Sequence, residues 1–187
     1  SVVMKHFNRI IEIKDMHTTV EPGVYYRDLE KQLNKHHLLY PSSTASKNLC
    51  TVGGIANNNS GGERSLEYGK TEKYVEKLKV ILRDGNEYIF NKISKEELTK
   101  KMKGKDFEGE LYRKVYQLVE KNYDLIQKAR PTVSKNSTGY NIWNIWDRKT
   151  FDMTQSFIGA QGTLGIVTEI KFKLVPKKTH RGMLIIF

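Results

Sequence analysis

The chain has one cysteine, Cys50, among 187 residues, so an intrachain disulfide and a cysteine-rich metal site are both excluded. We read Cys50 as a small packing residue, and its solitude fits a reducing compartment. Only four prolines punctuate the sequence. No apolar run approaches the ~20 residues needed to cross a bilayer. The opening Ser1-Val2-Val3-Met4-Lys5-His6 is not a basic region followed by an apolar one, so it is not read as a signal peptide. A cytoplasmic location is therefore expected, with peripheral membrane association left open. The signatures of self-contained catalysis are missing as well. There is no Gly-Lys-Ser/Thr phosphate loop, no Gly-x-Ser-x-Gly elbow, no His-Glu-x-x-His and no paired-carboxylate cluster. His36-His37 cannot face one ligand from adjacent helical positions, so no metal site is expected.

Positive charge is in excess. Lys and Arg number 32 against 21 Asp and Glu, a formal net charge of +11. This permits anionic partners, but much of the excess is lysine between Lys92 and Lys105 and at Lys177-Lys178. A solvated lysine-rich face is the favoured reading, and a nucleic-acid partner the disfavoured one. Tyr140, Trp143 and Trp146 lie in a basic polar stretch. They suit base or flavin stacking and buried anchoring equally. With 38% hydrophobic residues the chain can build a core of ordinary size.

Periodicity places the elements. Thr18–Glu21 reads as a strand stopped by Pro22-Gly23, and 25–38 as a helix with Tyr26, Leu29, Leu33 and His37 on one face. Two strand patterns, 74–83 and 87–90, flank Asp84-Gly85 as a hairpin. A short exposed helix is expected in 92–104. A longer one is expected in 107–129, its stripe running through Leu111, Val115, Leu118, Asn122, Leu125 and Ala129. That stripe is widened by Tyr112, Val119 and Ile126, and Pro131 lies beyond its end. A strand over 166–174 and another beginning at 182 complete the reading.

The centre of interest is the stretch from Pro41 to Gly69, read as one long loop. It holds Gly53, Gly54, Gly61, Gly62 and Gly69, five of the fourteen glycines, among hydroxyl and amide side chains. Such a loop is either a flexible linker or a surface that holds a ligand through main-chain N–H groups. The apolar residues threaded through it (Leu49, Cys50, Val52, Ile55, Leu66, Tyr68) favour the second reading. A further series, Gly159, Gly162 and Gly165, precedes a strand rather than a helix, which argues against a dinucleotide fingerprint of the Rossmann type. Several ligand cradles without acid–base machinery point to cofactor binding.

The ordered set of motifs carries a resemblance. Val20-Glu21-Pro22-Gly23, Pro41 with its loop, Thr51-Val52-Gly53-Gly54, Asn59, Gly61-Gly62, Tyr68-Gly69 and Arg83-Asp84-Gly85 are followed by Ser137-Thr138-Gly139-Tyr140 and by Gly159 to Thr168. Over about residues 2–176 this is similar to the PCMH-type FAD-binding domain of the vanillyl-alcohol oxidase family. Within it, the chain resembles the FAD-linked oxidase branch that includes glycolate oxidase, D-lactate dehydrogenase and D-2-hydroxyglutarate dehydrogenase. The resemblance implies an α+β fold, a mostly antiparallel sheet flanked by helices, present here in part. Residues 1–72 would close a first FAD-binding lobe, 73–176 form a second, and 177–187 begin the substrate (cap) domain. It implies FAD as cofactor, hydride transfer to the flavin from a small 2-hydroxy acid, and an electron acceptor it does not identify. The implied flavin-site residues are Pro41, Ser43, Asn48, Cys50, Thr51, Gly53, Gly54, Asn58, Gly62 and Gly69. Ile166 and Val167 would meet the adenine end through their backbone. Against the family pattern, the chain reads Gly159-Ala160-Gln161-Gly162 for a common Gly-Ser-Glu-Gly, and Ser43-Thr44 for Asp-Pro or Asp-Leu. The family's first strand–helix–strand unit would precede Ser1 and its cap domain would follow Phe187, so the chain is expected to be a piece of a longer protein. The alternative is a basic nucleic-acid or polyanion-binding module.

Overall fold

The computed structural model describes residues 4–133, 136–179 and 182. In chain order, the first part comprises β1 (Ile10–Lys14), β2 (His17–Val20), α1 (Tyr26–Lys35), β3 (Leu38–Leu39), α2 (Val52–Asn57) and α3 (Ser65–Tyr68). There follow β4 (Val75–Ile81), β5 (Glu87–Ser94), α4 (Lys95–Met102), α5 (Phe107–Lys121) and α6 (Tyr123–Lys128). The last part holds β6 (Thr150–Asp152), α7 (Thr154–Phe157), β7 (Ile166–Lys173) and β8 (Val175–Pro176). Six strands form one antiparallel sheet in the order β1-β2-β7-β4-β5-β6, and β3 pairs with β8. The architecture is α+β, a mostly antiparallel sheet with helices, as the resemblance implies. The sheet runs across residue 72, because β2 hydrogen-bonds along β7 with His17 opposite Lys173 and Val20 opposite Ile170.

The β4–β5 hairpin forms where alternation and turn chemistry agree. Gly85 takes φ +81°, which suits glycine, and Asp84 accepts from the Asn86 amide at 3.2 Å and the Tyr88 hydroxyl at 2.5 Å. Leu78, Val80 and Phe90 then point into the core. Phe90 stacks on Phe157, centroids 5.0 Å apart, and meets Tyr112 of α5 at 6.3 Å. The next strand outruns its expected end. β5 continues to Ser94, which caps α4 in a reciprocal box with Glu97.

Three expectations need correction. His37 does not share the α1 face; it lies past the helix end at φ +54° and is exposed, while Tyr26, Leu29 and Leu33 are buried. The long helix is two, broken at Asn122, whose side chain bonds back to the Leu118 carbonyl at 2.8 Å. Its inward face is Tyr112, Val119 and Ile126, whereas Leu118 and Leu125 are 61% and 67% exposed. The stretch 41–69 is not one loop, since it contains α2 and α3. The strand expected from residue 182 lies outside the described residues.

Phe90 is fully buried between α5 and α7. Phe90→Ala should lower unfolding free energy by about 3–5 kcal/mol, measured by urea titration.

Candidate cofactor site

The site begins with α2, a six-residue helix whose sequence, Val52-Gly53-Gly54-Ile55-Ala56-Asn57, has poor intrinsic propensity. It forms because its first turn is held from outside. The Val52 amide donates to the Val24 carbonyl at 2.9 Å, the Gly53 amide to the Pro22 carbonyl at 2.9 Å, and the Gly54 amide to Thr51 Oγ1 at 3.3 Å. These N–H groups are engaged by the framework. The two glycines therefore differ in kind. A Cβ on Gly53 would sit 2.6 Å from Pro22 Cβ and 2.9 Å from its carbonyl oxygen, so the position serves close backbone packing. A Cβ on exposed Gly54 would meet only Thr51 Oγ1, at 3.5 Å, and faces open space.

Behind α2, the β2–α1 turn is pinned by Glu21. Its carboxylate accepts from the Arg9 amide at 2.8 Å, Nε at 3.0 Å and Nη2 at 2.7 Å. The Arg9 guanidinium holds that carboxyl below its ordinary 4.5, against the upward push of burial.

Pro41, Ser42 and Ser43 leave β3 buried. The Ser42 and Thr71 hydroxyls both donate to the Ser60 carbonyl at 2.8 Å; the Tyr40 hydroxyl lies 3.0 Å from Thr71 Oγ1, and the Tyr26 hydroxyl donates to the Tyr40 carbonyl. Burial pushes the Tyr26 phenol up to about 12 and the Tyr40 phenol further, so this network is neutral. A Cβ on Gly62 would fall 2.0 Å from the Ser43 carbonyl oxygen, so the start and end of the segment lie backbone to backbone. Between them, residues 44–50 fold on themselves. Thr44 Oγ1 reaches Ser46 Oγ at 3.0 Å and Cys50 Sγ at 3.4 Å, and the Asn48 carbonyl accepts from Arg27 Nη1 at 2.6 Å.

The C-terminal end of α2 meets two distant segments. The Gly159 and Gln161 amides donate to the carbonyls of Ala56 and Asn57 at 3.1 and 2.9 Å. Gln161 Nε2 donates to Asn58 Oδ1 at 2.9 Å. The Ser137 hydroxyl donates to the Asn59 carbonyl at 3.0 Å, and the Tyr140 hydroxyl lies 2.9 Å from Thr163 Oγ1. Ile166, 40% exposed, opens β7 directly after this turn, and Val167 is buried opposite Val80.

The structure thus places Thr51, Gly54 and Asn58 on α2 and its caps, ties Asn58 to Gln161 of the 159–167 turn, and sets Ser43 against Gly62. Pro41, Gly53, Gly62 and Val167 sit inside the framework, Asn48 and half-buried Cys50 on the folded 44–50 segment. Gly69 stands apart at the end of α3 with φ +81°. Asn57, Asn59, Gln161, Tyr140 and Thr163 also meet here, although only their motifs, and not these side chains, stand among the implied flavin-site residues. The Asn57-Asn58-Asn59 run was the available signal. Trp146 is a core residue, 3% exposed and edge-on to Tyr116 at 5.6 Å, so the three aromatics do not form a stacking surface.

Residues 41–62, 136–141 and 159–167 contain no Asp, Glu or His. Such a surface offers mostly neutral donors and acceptors and no carboxylate or imidazole, with Lys47 as its one charged side chain. Arg64 Nη1 and Ser65 Oγ, at the end of the glycine segment, are buried without a hydrogen-bond partner among the described residues. An open glycine face, a neutral amide and hydroxyl rim and an unpaired guanidinium N–H fit a flavin nucleotide. Among the described residues no group of three or more His, Cys, Asp and Glu could hold a metal ion.

Residues 1–90 match the FAD binding domain family. Glycolate oxidase subunit GlcD of Bacillus subtilis (strain 168) is 31% identical over 189 residues, covering 100% of this chain and 30% of that protein. D-2-hydroxyglutarate dehydrogenase of Pseudomonas putida is 29% identical over 175 residues, covering 92% and 17%. D-lactate dehydrogenase of Anaerostipes hadrus is 30% identical over 157 residues, covering 84% and 22%. The chain therefore spans less than a third of the length of these relatives. A solved structure of alkyldihydroxyacetonephosphate synthase superposes with a TM-score of 0.53 at 18% identity over 91% of this chain and 22% of that one, a likeness of fold.

Two outcomes are expected. Gly53→Ala should destabilise the protein by about 1–3 kcal/mol through overpacking against Pro22, while Gly54→Ala should leave stability unchanged or slightly raised; paired thermal melts read both. The Glu21 contribution is full above the ordinary carboxyl value and is lost as pH falls through the lowered folded value. The melting temperature of Glu21→Gln should therefore approach that of wild type as pH falls below 4.5.

Proposed function

We propose that this chain, whose residues 1–90 match the FAD binding domain family, forms part of the FAD site of an FAD-linked oxidoreductase acting on a small 2-hydroxy acid. The observation that carries this reading is the convergence of three carboxylate-free segments on the C-terminal end of α2, beside one glycine open to a ligand. FAD, when bound, supplies two-electron redox chemistry. What the chain supplies is a rigid, neutral seat. Gly54 allows close approach of a ring or ribityl chain. The Asn58–Gln161 and Tyr140–Thr163 pairs offer oriented donors and acceptors, and the Ile166 backbone suits the adenine end. Arg64 is the available cation for the diphosphate.

The three segments hold no carboxylate or histidine, and we assign the base for a substrate hydroxyl to a group outside them. In this reading residues 1–72 and 73–176 contribute the two sides of the flavin, and 177–187 lead into the substrate domain. The 2-hydroxy acid itself rests on the names of the relatives, glycolate oxidase, D-lactate dehydrogenase and D-2-hydroxyglutarate dehydrogenase. No helix among the described residues is long and apolar enough to cross a membrane, and a cytoplasmic location belongs to the same proposal.

The test is a titration of the whole protein with FAD, with melting temperature as a second readout, since a ligand of the folded state raises apparent stability by RT ln(1 + [L]/Kd). Saturable binding that survives high salt is expected, with affinity falling about tenfold or more in Gly54→Leu because the approach to the backbone is blocked. Unchanged affinity in Gly54→Leu overturns the placement. Retention on immobilised polyanion with steep salt dependence, and no FAD binding, would instead favour the basic-module reading.

A further inference from the structure

Directly behind the proposed cradle lies a largely buried charged cluster. Lys70 is 8% exposed, and its ammonium stands 3.2 Å from Glu72 Oε2 while donating to the Asn136 carbonyl. The same Glu72 Oε2 accepts from Asn59 Nδ2 at 2.5 Å, and the Glu72 amide donates to Asn59 Oδ1 at 3.1 Å. Both ends of the Asn59 amide are thus fixed by one residue. On the far side, the Glu72 carbonyl accepts from Gln155 Nε2 at 3.3 Å, and Gln155 Oε1 accepts from Asn141 Nδ2 at 2.6 Å.

Asn59 is 4% exposed and held at φ +46°, a left-handed conformation that carries a steric cost in any residue but glycine. Its carbonyl receives the Ser137 hydroxyl, and its Cβ lies 3.3 Å from where a Cβ on Gly159 would stand. Asn59 is therefore the point at which all three cradle segments touch, and Glu72 is what holds it there. Ions are costly to bury, and a pair held largely out of water repays that cost only with good geometry and further hydrogen bonds. This pair has both, and the Glu72 side chain keeps 17% of its surface exposed, toward a pocket it lines with Gln155 and Trp143.

We propose that Glu72, with Lys70 as its counterion, is a positioning residue for the flavin cradle. It fixes Asn59 and, through Lys70 and Gln155, the 136–141 segment, so that the Asn58–Gln161 and Tyr140–Thr163 pairs present a preformed surface. The inference rests on the FAD reading for its ligand and on geometry alone for its mechanics, and the two are tested separately.

The experiment compares Glu72→Leu, Glu72→Gln and a control, Leu98→Ala, in the whole protein. Leu98 is a buried residue of α4 (1% exposed), so its truncation lowers stability without touching the cluster. Deuterium exchange without ligand should quicken at residues 57–62 and 136–141 in Glu72→Leu and not in Leu98→Ala. FAD affinity should fall about tenfold in Glu72→Leu, the equivalent of one or two lost hydrogen bonds. It should stay within about threefold in Glu72→Gln, which keeps an acceptor for Asn59. The visible circular dichroism of bound flavin should change in Glu72→Leu alone. Equal loss of affinity in Leu98→Ala, or unchanged exchange in Glu72→Leu, overturns the proposal. If the wild-type protein takes up no FAD, the functional reading falls, and the exchange arm still decides the positioning role.

Discussion

A six-residue helix held at both ends by hydrogen bonds from elsewhere in the chain is the constraint on which the site depends. At its start, the carbonyls of Pro22 and Val24 take the amides of Gly53 and Val52. At its end, the carbonyls of Ala56 and Asn57 take the amides of Gly159 and Gln161. A segment of this length and composition has no helical stability of its own, so α2 exists because the β2–α1 turn and the turn before β7 clamp it. Those two turns in turn belong to neighbouring strands, since β2 pairs with β7. The sheet thus sets the spacing of the clamp, and the clamp sets the cradle.

The charge distribution supports a division of labour. The cradle segments are free of Asp, Glu and His, and the hydroxyl network beneath them is held neutral by burial. Negative charge enters only behind the surface, in the Arg9–Glu21 pair that pins the turn feeding α2 and the Lys70–Glu72 pair that fixes Asn59. Ionised groups kept in the second layer orient the first without placing a competing charge beside a ligand. The lysine excess of the chain has no part in this site.

Much of the frame was legible in the sequence because it rests on strong, local signals. The β4–β5 hairpin follows from alternation around Asp84-Gly85, and the α1 face from the spacing of Tyr26, Leu29 and Leu33. The ordered glycine motifs located the three segments that converge. What stayed hidden depends on tertiary contacts. α2 reads as loop because two glycines lower its propensity and only distant carbonyls and amides fold it. The stripe expected over 107–129 fails at Leu118 of α5 and Leu125 of α6 because neighbouring stripes on a helix are equally apolar, and only packing shows which is covered. Asn59 carries no periodic signal at all; its role comes from Glu72, thirteen residues on, and from Ser137, seventy-eight residues on.

The central claim is that residues 54–62, 136–141 and 159–166 form one FAD-binding surface. Deuterium exchange of the whole protein, with and without FAD, tests it most directly. The account predicts slowed exchange in all three segments together on addition of FAD, with little change in α4 and α5. Protection confined to other parts of the chain, or confined to one of the three segments, would contradict it.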